Sequence, residues 1–151
     1  MTPVLVLVAQ AAATWFLTGL IWLVQLVHYP LFAMADRSTF PAFANAHSRL
    51  ITPVVGPPMV LEALVAAWLV VQRPPAVPAS WAWAGLALVV VIWVSTAALQ
   101  VPMHSRLAGG FDAQAHQWLV ASNWIRTVAW SLRAVLCAAM LLRLFETALA
   151  E

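Results

Sequence analysis

Four apolar stretches, 4–27, 54–71, 81–99 and 118–142, divide the chain. Each runs for about 18–25 residues, the length a helix needs to cross about 30 Å of hydrocarbon at a rise of about 1.5 Å per residue. Backbone groups in lipid must be paired internally, and nothing here alternates with a period of two, so a barrel is excluded and a helix bundle is predicted. Composition agrees: 64% of residues are hydrophobic and 8% charged, where a soluble domain has about 45–50% and about 25%. The expected fold class is all-α, an integral membrane four-helix bundle, with residues 1–151 forming one domain. The expected setting is the lipid bilayer, as a multi-pass protein of a bacterial inner membrane. The first stretch has no basic leader and is too long for the core of a signal peptide, so it is expected to stay as a span.

The net charge is +2, and all seven cations are arginines scattered singly along the chain. No basic stripe of the kind a phosphate backbone requires is present, which excludes nucleic acid as a partner. A lone cysteine, Cys137, sits in an apolar run and supports neither a disulfide framework nor a thiolate zinc site. Any metal would have to be held by histidine and carboxylate.

Polar residues mark two long connections, 31–48 and 102–116, and a short proline-rich one, 72–80. An even number of spans puts both termini on one side, so both long connections lie on the other, and with them His28, His47, His104 and His116. Arg37, Arg49 and Arg106 on that face balance the amino terminus, Arg73 and Arg143 on the opposite one, so charge sets no orientation. Trp81, Trp83 and Trp118, at the ends of spans, fit an interfacial belt. The two hairpins also echo one another. Gln25, His28, Pro30 and Leu31 close the first span as Gln100, Pro102, His104 and Leu107 close the third, and Arg49 and Thr52 precede the second as Arg126 and Thr127 open the fourth. Small residues such as Gly19 and Gly85 permit close helix contacts, within one chain or in a homo-oligomer.

Ionisable groups inside a span are costly unless paired or hydrated, which singles out Glu62, Arg126 and Arg133. Counted from the span edges, Glu62 lies ~12 Å and Arg126 ~13 Å deep, so the two would meet. Either they form an ion pair that sets helix register, or Glu62 serves as a proton acceptor or metal ligand and Arg126 as an anion or substrate clamp. Arg133 shares a face with Arg126, or snorkels to the far interface. Gln25 with His28, and Gln100 with His104, are spaced to share a helix face, so each glutamine is a candidate outer partner for an imidazole, with Arg49 close by. Imidazoles from His28, His47 and His104, completed by His116 or Glu62, would suit copper, iron or zinc. Asp36 and Asp112 are expected to be solvated or to cap helices. The run Pro53-Val54-Val55-Gly56-Pro57-Pro58 predicts a bent entry to the second helix, beside a polar pocket.

The segment Gln100-Val101-Pro102-Met103-His104-Ser105-Arg106-Leu107, with Ser122-Asn123-Trp124-Ile125-Arg126-Thr127, resembles the signature of the anthrone oxygenase-like family of small four-helix membrane proteins. Val101, Pro102, Leu107, Asn123, Arg126 and Thr127 carry the resemblance, which covers the C-terminal third and elsewhere only the layout. It implies a membrane bundle, some of whose relatives oxygenate reduced polycyclic aromatics to quinones without an established cofactor. The chain departs from that pattern where asparagine is replaced by His104. An imidazole is a far better metal ligand than an amide, so a metal-dependent version is expected.

The sequence thus points to a membrane-embedded oxidoreductase of the oxygenase kind, acting on a lipophilic aromatic or quinone-like small molecule. Copper or iron would sit on His28, His47, His104 and His116, and Glu62, Asn123 and Arg126 would carry the chemistry. Three alternatives use the same residues: a cofactor-free oxygenase, a non-enzymatic metal-binding, haem-binding or transport protein, and a structural or assembly subunit.

Overall fold

The computed structural model describes residues 3–150. It is an all-α bundle of four helices, α1 (Pro3–Phe32), α2 (Phe40–Val71), α3 (Ala79–Ala108) and α4 (Ala113–Ala150), each long and apolar enough to cross a membrane. No strand occurs among the described residues.

The two expected long connections shrink to 33–39 and 109–112, because residues 40–53, 102–108 and 113–117 are helical. Loss of apolar character marks where a helix leaves hydrocarbon and not where it ends. The turns are closed by carboxylates. Asp112 Oδ1 accepts from the amides of Gln114 at 2.9 Å and Ala115 at 3.0 Å, capping α4. Asp36 Oδ1 accepts from the Ser38 amide at 2.8 Å and the Thr39 amide at 3.3 Å just ahead of α2. Gly110, at φ +150°, supplies a backbone geometry between α3 and α4 that a side chain would oppose.

Prolines shape the helices without ending them. Pro53, Pro57 and Pro58 lie inside a continuous α2, so the irregular entry expected there is replaced by unbroken helix. Pro30 and Pro102 each lie just after a five-residue π turn, Val24–His28 and Thr96–Gln100. In these turns the Tyr29 amide donates to Val24 O and the Val101 amide to Thr96 O. The wider ring gives room to a proline ring that in an α-helix strikes the carbonyl four residues back. Both turns and both prolines are spaced 72 positions apart. The backbone repeat therefore sets His28 opposite Gln100, and not Gln25 opposite Gln100 as the side chains alone suggest.

α1 is the most enclosed element: half of its most apolar stretch is buried, against 22% for α2. One apolar core, built on Leu17, Ile21, Phe32, Ile92, Leu119 and Trp130, fills the half of the bundle nearest the 33–39 and 109–112 turns. A smaller one, of Val6, Leu7, Leu69, Val77 and Met140, fills the other end. Between them lies a buried polar band of Gln10, Thr14, Glu62 and Arg133. Large apolar side chains such as Val8, Phe16, Leu26, Leu64, Val94, Leu132 and Val135 are exposed around the perimeter, as contact with lipid requires.

Candidate functional site

The π turn of α1 ends at His28 and directs His28 and Tyr29 toward α2 and α3. His28 Nε2 lies 2.8 Å from His47 Nδ1. The Tyr29 hydroxyl lies 3.0 Å from His104 Nε2, and the His47 and His104 rings stack with centroids 5.3 Å apart. Three of the four histidines thus converge, as the topology requires.

Arg126 completes the group from α4. Its Nη2 donates to the Tyr29 hydroxyl at 3.2 Å and its Nη1 to Thr96 Oγ1 at 3.4 Å. Nε donates to Asn123 Oδ1 at 2.9 Å, and Nη2 also bonds that oxygen. Asn123 Nδ2 donates in turn to Gln25 Oε1 at 2.7 Å, and Gln25 Nε2 to Val120 O at 3.2 Å. Thr127 Oγ1 reaches back to Asn123 O at 3.1 Å. The Asn-x-x-Arg-Thr pattern is therefore a holder: one turn of helix in which an amide oxygen grips the guanidinium and a cross-helix glutamine grips the amide.

These groups line a cavity of about 550 Å³. Tyr29, His47, Gln100, His104 and Arg126 line it with Asn45, Ser48, Thr52, Thr96 and Ser105 as the polar residues, while Leu17, Ile21, Val24, Val55, Met59 and Trp130 are among its apolar ones. The cavity runs along α2 and α3 and reaches the surface between them, where its exposed lining residues are Val60, Trp93 and Val101 together with Asn45, Thr52 and Ser105.

Four expected placements change. His116 does not join the other histidines; its Nε2 lies 2.8 Å from Tyr29 O, a carbonyl left free by the end of α1. Gln25 and Gln100 do not reach the imidazoles, because the oxygen of Gln25 is taken by Asn123 and that of Gln100 by Ser95 at 3.0 Å. Arg49 is exposed on α2 and does not line the cavity. Glu62 pairs with Arg133 at 2.9 Å and not with Arg126. It also accepts from Thr14 at 2.6 Å and from Trp130 Nε1 at 3.0 Å, is 1% exposed, and stands outside the cavity wall. Arg133 is equally buried and bonds Gly85 O, so it does not snorkel. Asp112 caps α4, and Asp36 is exposed and closes the turn ahead of α2.

Tyr29, the only tyrosine of the chain, joins His104 to Arg126, and sequence reasoning passed over it. The one available signal was a hydroxyl-bearing aromatic placed between His28 and Pro30 at the end of a span.

For a metal, the fit is partial. Two nitrogen ligands of a tetrahedral ion at 2.0–2.1 Å stand about 3.3 Å apart, and His28 Nε2 and His47 Nδ1 face one another at 2.8 Å. His104 would have to turn away from Tyr29 to join them. Among the described residues, no group of three or more His, Cys, Asp or Glu side chains is arranged to hold an ion. Set against protein-family models, curated proteins and solved structures, the chain matches none of them.

Proposed function

We propose that the chain is a membrane-embedded oxidoreductase of the oxygenase kind, which takes a lipophilic aromatic, quinone-like substrate from the bilayer and uses dioxygen as oxidant. The observation that carries this reading is the cavity of about 550 Å³, open between α2 and α3 and more apolar than polar in its lining, with a linked Arg126–Tyr29–His104 group on one wall. A cavity of that size and lining suits a molecule of two or three fused rings, and its few polar atoms would orient the ring by one oxygen. The resemblance of Val101, Pro102, Asn123, Arg126 and Thr127 to the anthrone oxygenase-like pattern points to the same reaction class.

A substrate oxygen seated against Arg126 and Tyr29 would have its negative charge stabilised as a ring hydroxyl ionises. The proton has a path: the substrate hydroxyl gives it to the Tyr29 oxygen while the Tyr29 proton passes to His104 Nε2 at 3.0 Å. Dioxygen would oxidise the electron-rich ring so formed at a ring CH2, one oxygen atom becoming the new quinone carbonyl and the other leaving with the two hydrogens as water. In a metal form His104 would instead turn from Tyr29 toward His28 and His47, and copper or iron held there would supply one-electron chemistry toward oxygen.

A second reading omits the metal, and the hydrogen bond from Tyr29 to His104 favours it, since that nitrogen is already engaged in proton transfer geometry. Elemental analysis with an optical spectrum separates the two, on detergent-purified protein reconstituted with copper, iron and zinc in turn. About one redox metal per chain, lost in His104→Ala, supports the metal form; oxygen uptake with an anthrone-type polycyclic ketone, with one atom of labelled dioxygen found in the quinone product and no metal bound, supports the other. Failure of the wild-type chain both to bind and to oxidise such compounds overturns the proposal.

A further inference from the structure

The chain handles its two buried arginines differently. Arg133 is neutralised by Glu62. Arg126, only 7% exposed, has neutral partners alone: Asn123 Oδ1, Thr96 Oγ1 and the Tyr29 hydroxyl, a phenol that is uncharged at pH 7. The acids elsewhere do not reach it. Among the described residues, Asp36 and Asp112 close the turns, Glu62 is committed to Arg133, and Glu146 lies beside Arg143 at the far end of α4. The nearest other titratable groups are His47 and His104, which can only add positive charge. A cation held in a low-dielectric interior without an anion is unfavourable, and the arrival of a negative group lowers that cost more than neutral dipoles do. Arg126 lines the cavity of about 550 Å³ that opens between α2 and α3.

We infer that the cavity binds its ligand as a compact lipophilic anion, an enolate, phenolate or carboxylate whose charged oxygen supplies the missing counter-charge at Arg126. The inference rests on the proposed reading of the cavity as a substrate site and adds the charge state in which the ligand is held, whether it arrives ionised or gives up its proton at Tyr29. Depth argues against a phospholipid headgroup. Arg126 lies eight residues beyond Trp118, about 12 Å along α4, well below the level at which a phosphate stays hydrated. Charge-assisted hydrogen bonds exceed neutral ones by an amount that corresponds to roughly tenfold or more in affinity.

The test uses the full chain in phosphatidylcholine nanodiscs, with empty discs subtracted, and three probes. These are 2-hydroxy-1,4-naphthoquinone, an enolate at neutral pH, its neutral O-methyl ether, and dodecanoate. The enolate is expected to bind at least about tenfold more tightly than the ether. Arg126→Lys should keep most of that ratio and Arg126→Gln should bring it near one. Should Arg126→Gln fail to fold, Thr96→Asp serves instead: it places a carboxylate on the side chain that already touches Arg126, and it should abolish the preference in a bundle that remains folded. Equal binding of enolate and ether by wild type, or an enolate preference that survives Thr96→Asp, overturns the inference and leaves the aromatic pocket standing. Dodecanoate bound through Arg126 with neither naphthoquinone bound upholds the anion and overturns the aromatic substrate. No binding of any probe overturns both.

Discussion

Replacing Glu62 by glutamine tests whether that carboxylate is scaffold or chemistry. Its Oε1 accepts from Thr14 and Arg133 and its Oε2 from Trp130, and both members of the ion pair are 1% exposed. Glu62→Gln keeps the shape, removes the charge, and offers an NH2 group where one of these donors must be met. The Arg133 guanidinium is left in the interior uncompensated, and breaking a buried pair from one side costs about 3–5 kcal/mol. The Trp130 or Thr14 donor left facing the new amide adds about 1–3 kcal/mol, partly within the same figure. Reversible unfolding in mixed micelles should therefore show a loss of about 3–5 kcal/mol for the single variant. The double variant Glu62→Gln, Arg133→Met removes both charges and should recover most of it. Affinity for a cavity ligand should change little in the double variant, because neither residue lines the cavity. A single variant within about 1 kcal/mol of wild type, or a double variant no more stable than the single, would refute the assignment of this pair as a buried register lock.

Tyr29→Phe removes the hydroxyl between Arg126 and His104, and oxygen uptake should fall by about 10²–10⁴-fold, the usual worth of a positioned proton carrier; a rate within threefold of wild type would remove Tyr29 from the mechanism. His116→Ala takes the donor from the Tyr29 carbonyl and should cost about 1–3 kcal/mol in the same unfolding assay, with metal content unchanged if His116 is no ligand. At Asp36, hydrogen bonds from the Ser38 hydroxyl and from the Ser38 and Thr39 amides hold the carboxyl below its ordinary value of 3.8. A depressed folded value gives stabilisation that is full above the unfolded value and is lost as pH falls through the folded one. The melting temperature of Asp36→Ala should therefore lie below that of wild type at neutral pH, and the gap should close in acid; a gap that widens on acidification would contradict the turn contact.

The architecture was legible because one physical requirement, internal pairing of the backbone in lipid, left a single solution for four apolar stretches. Convergence of His28, His47 and His104 was legible for the same kind of reason, since connectivity alone puts them on one face. What sequence spacing could not show was partnership across helices. Gln25 and Gln100 looked like companions of the imidazoles one turn away, yet their oxygens point to Asn123 on α4 and Ser95 on α3. The pairing of Glu62 failed on depth. Counting each residue from the edge of its own apolar run assumed that the two runs begin at one level, whereas the packing of α2 against α4 sets Glu62 level with Arg133, two turns beyond Arg126. The π turns left no trace beyond the prolines that follow them, and no spacing pattern singled out Tyr29. His116 was misplaced because its partner is a backbone carbonyl, exposed only by the point at which α1 stops.

The contrast between Arg126 and Arg133 follows from what each must do with its charge. Seven residues apart on α4, they face the same interior, and a carboxylate beside each would have been the cheaper design for stability. At Arg133 that is what the chain has, and the resulting pair is sealed and inert. At Arg126 the same immobilisation is achieved without an acid: Asn123 takes two guanidinium hydrogens, Gln25 fixes the orientation of Asn123, and Thr127 ties the asparagine backbone. Neutral dipoles restrain the side chain while leaving its field intact, so the donor is held in place before any ligand enters and needs no reorganisation when charge develops there. A carboxylate would have given the same geometry and cancelled the field. On the proposed reading, the absence of an acid at Arg126 is thus the feature that separates a binding cation from a structural one, and an anion held in the cavity would complete the electrostatic balance of the bundle.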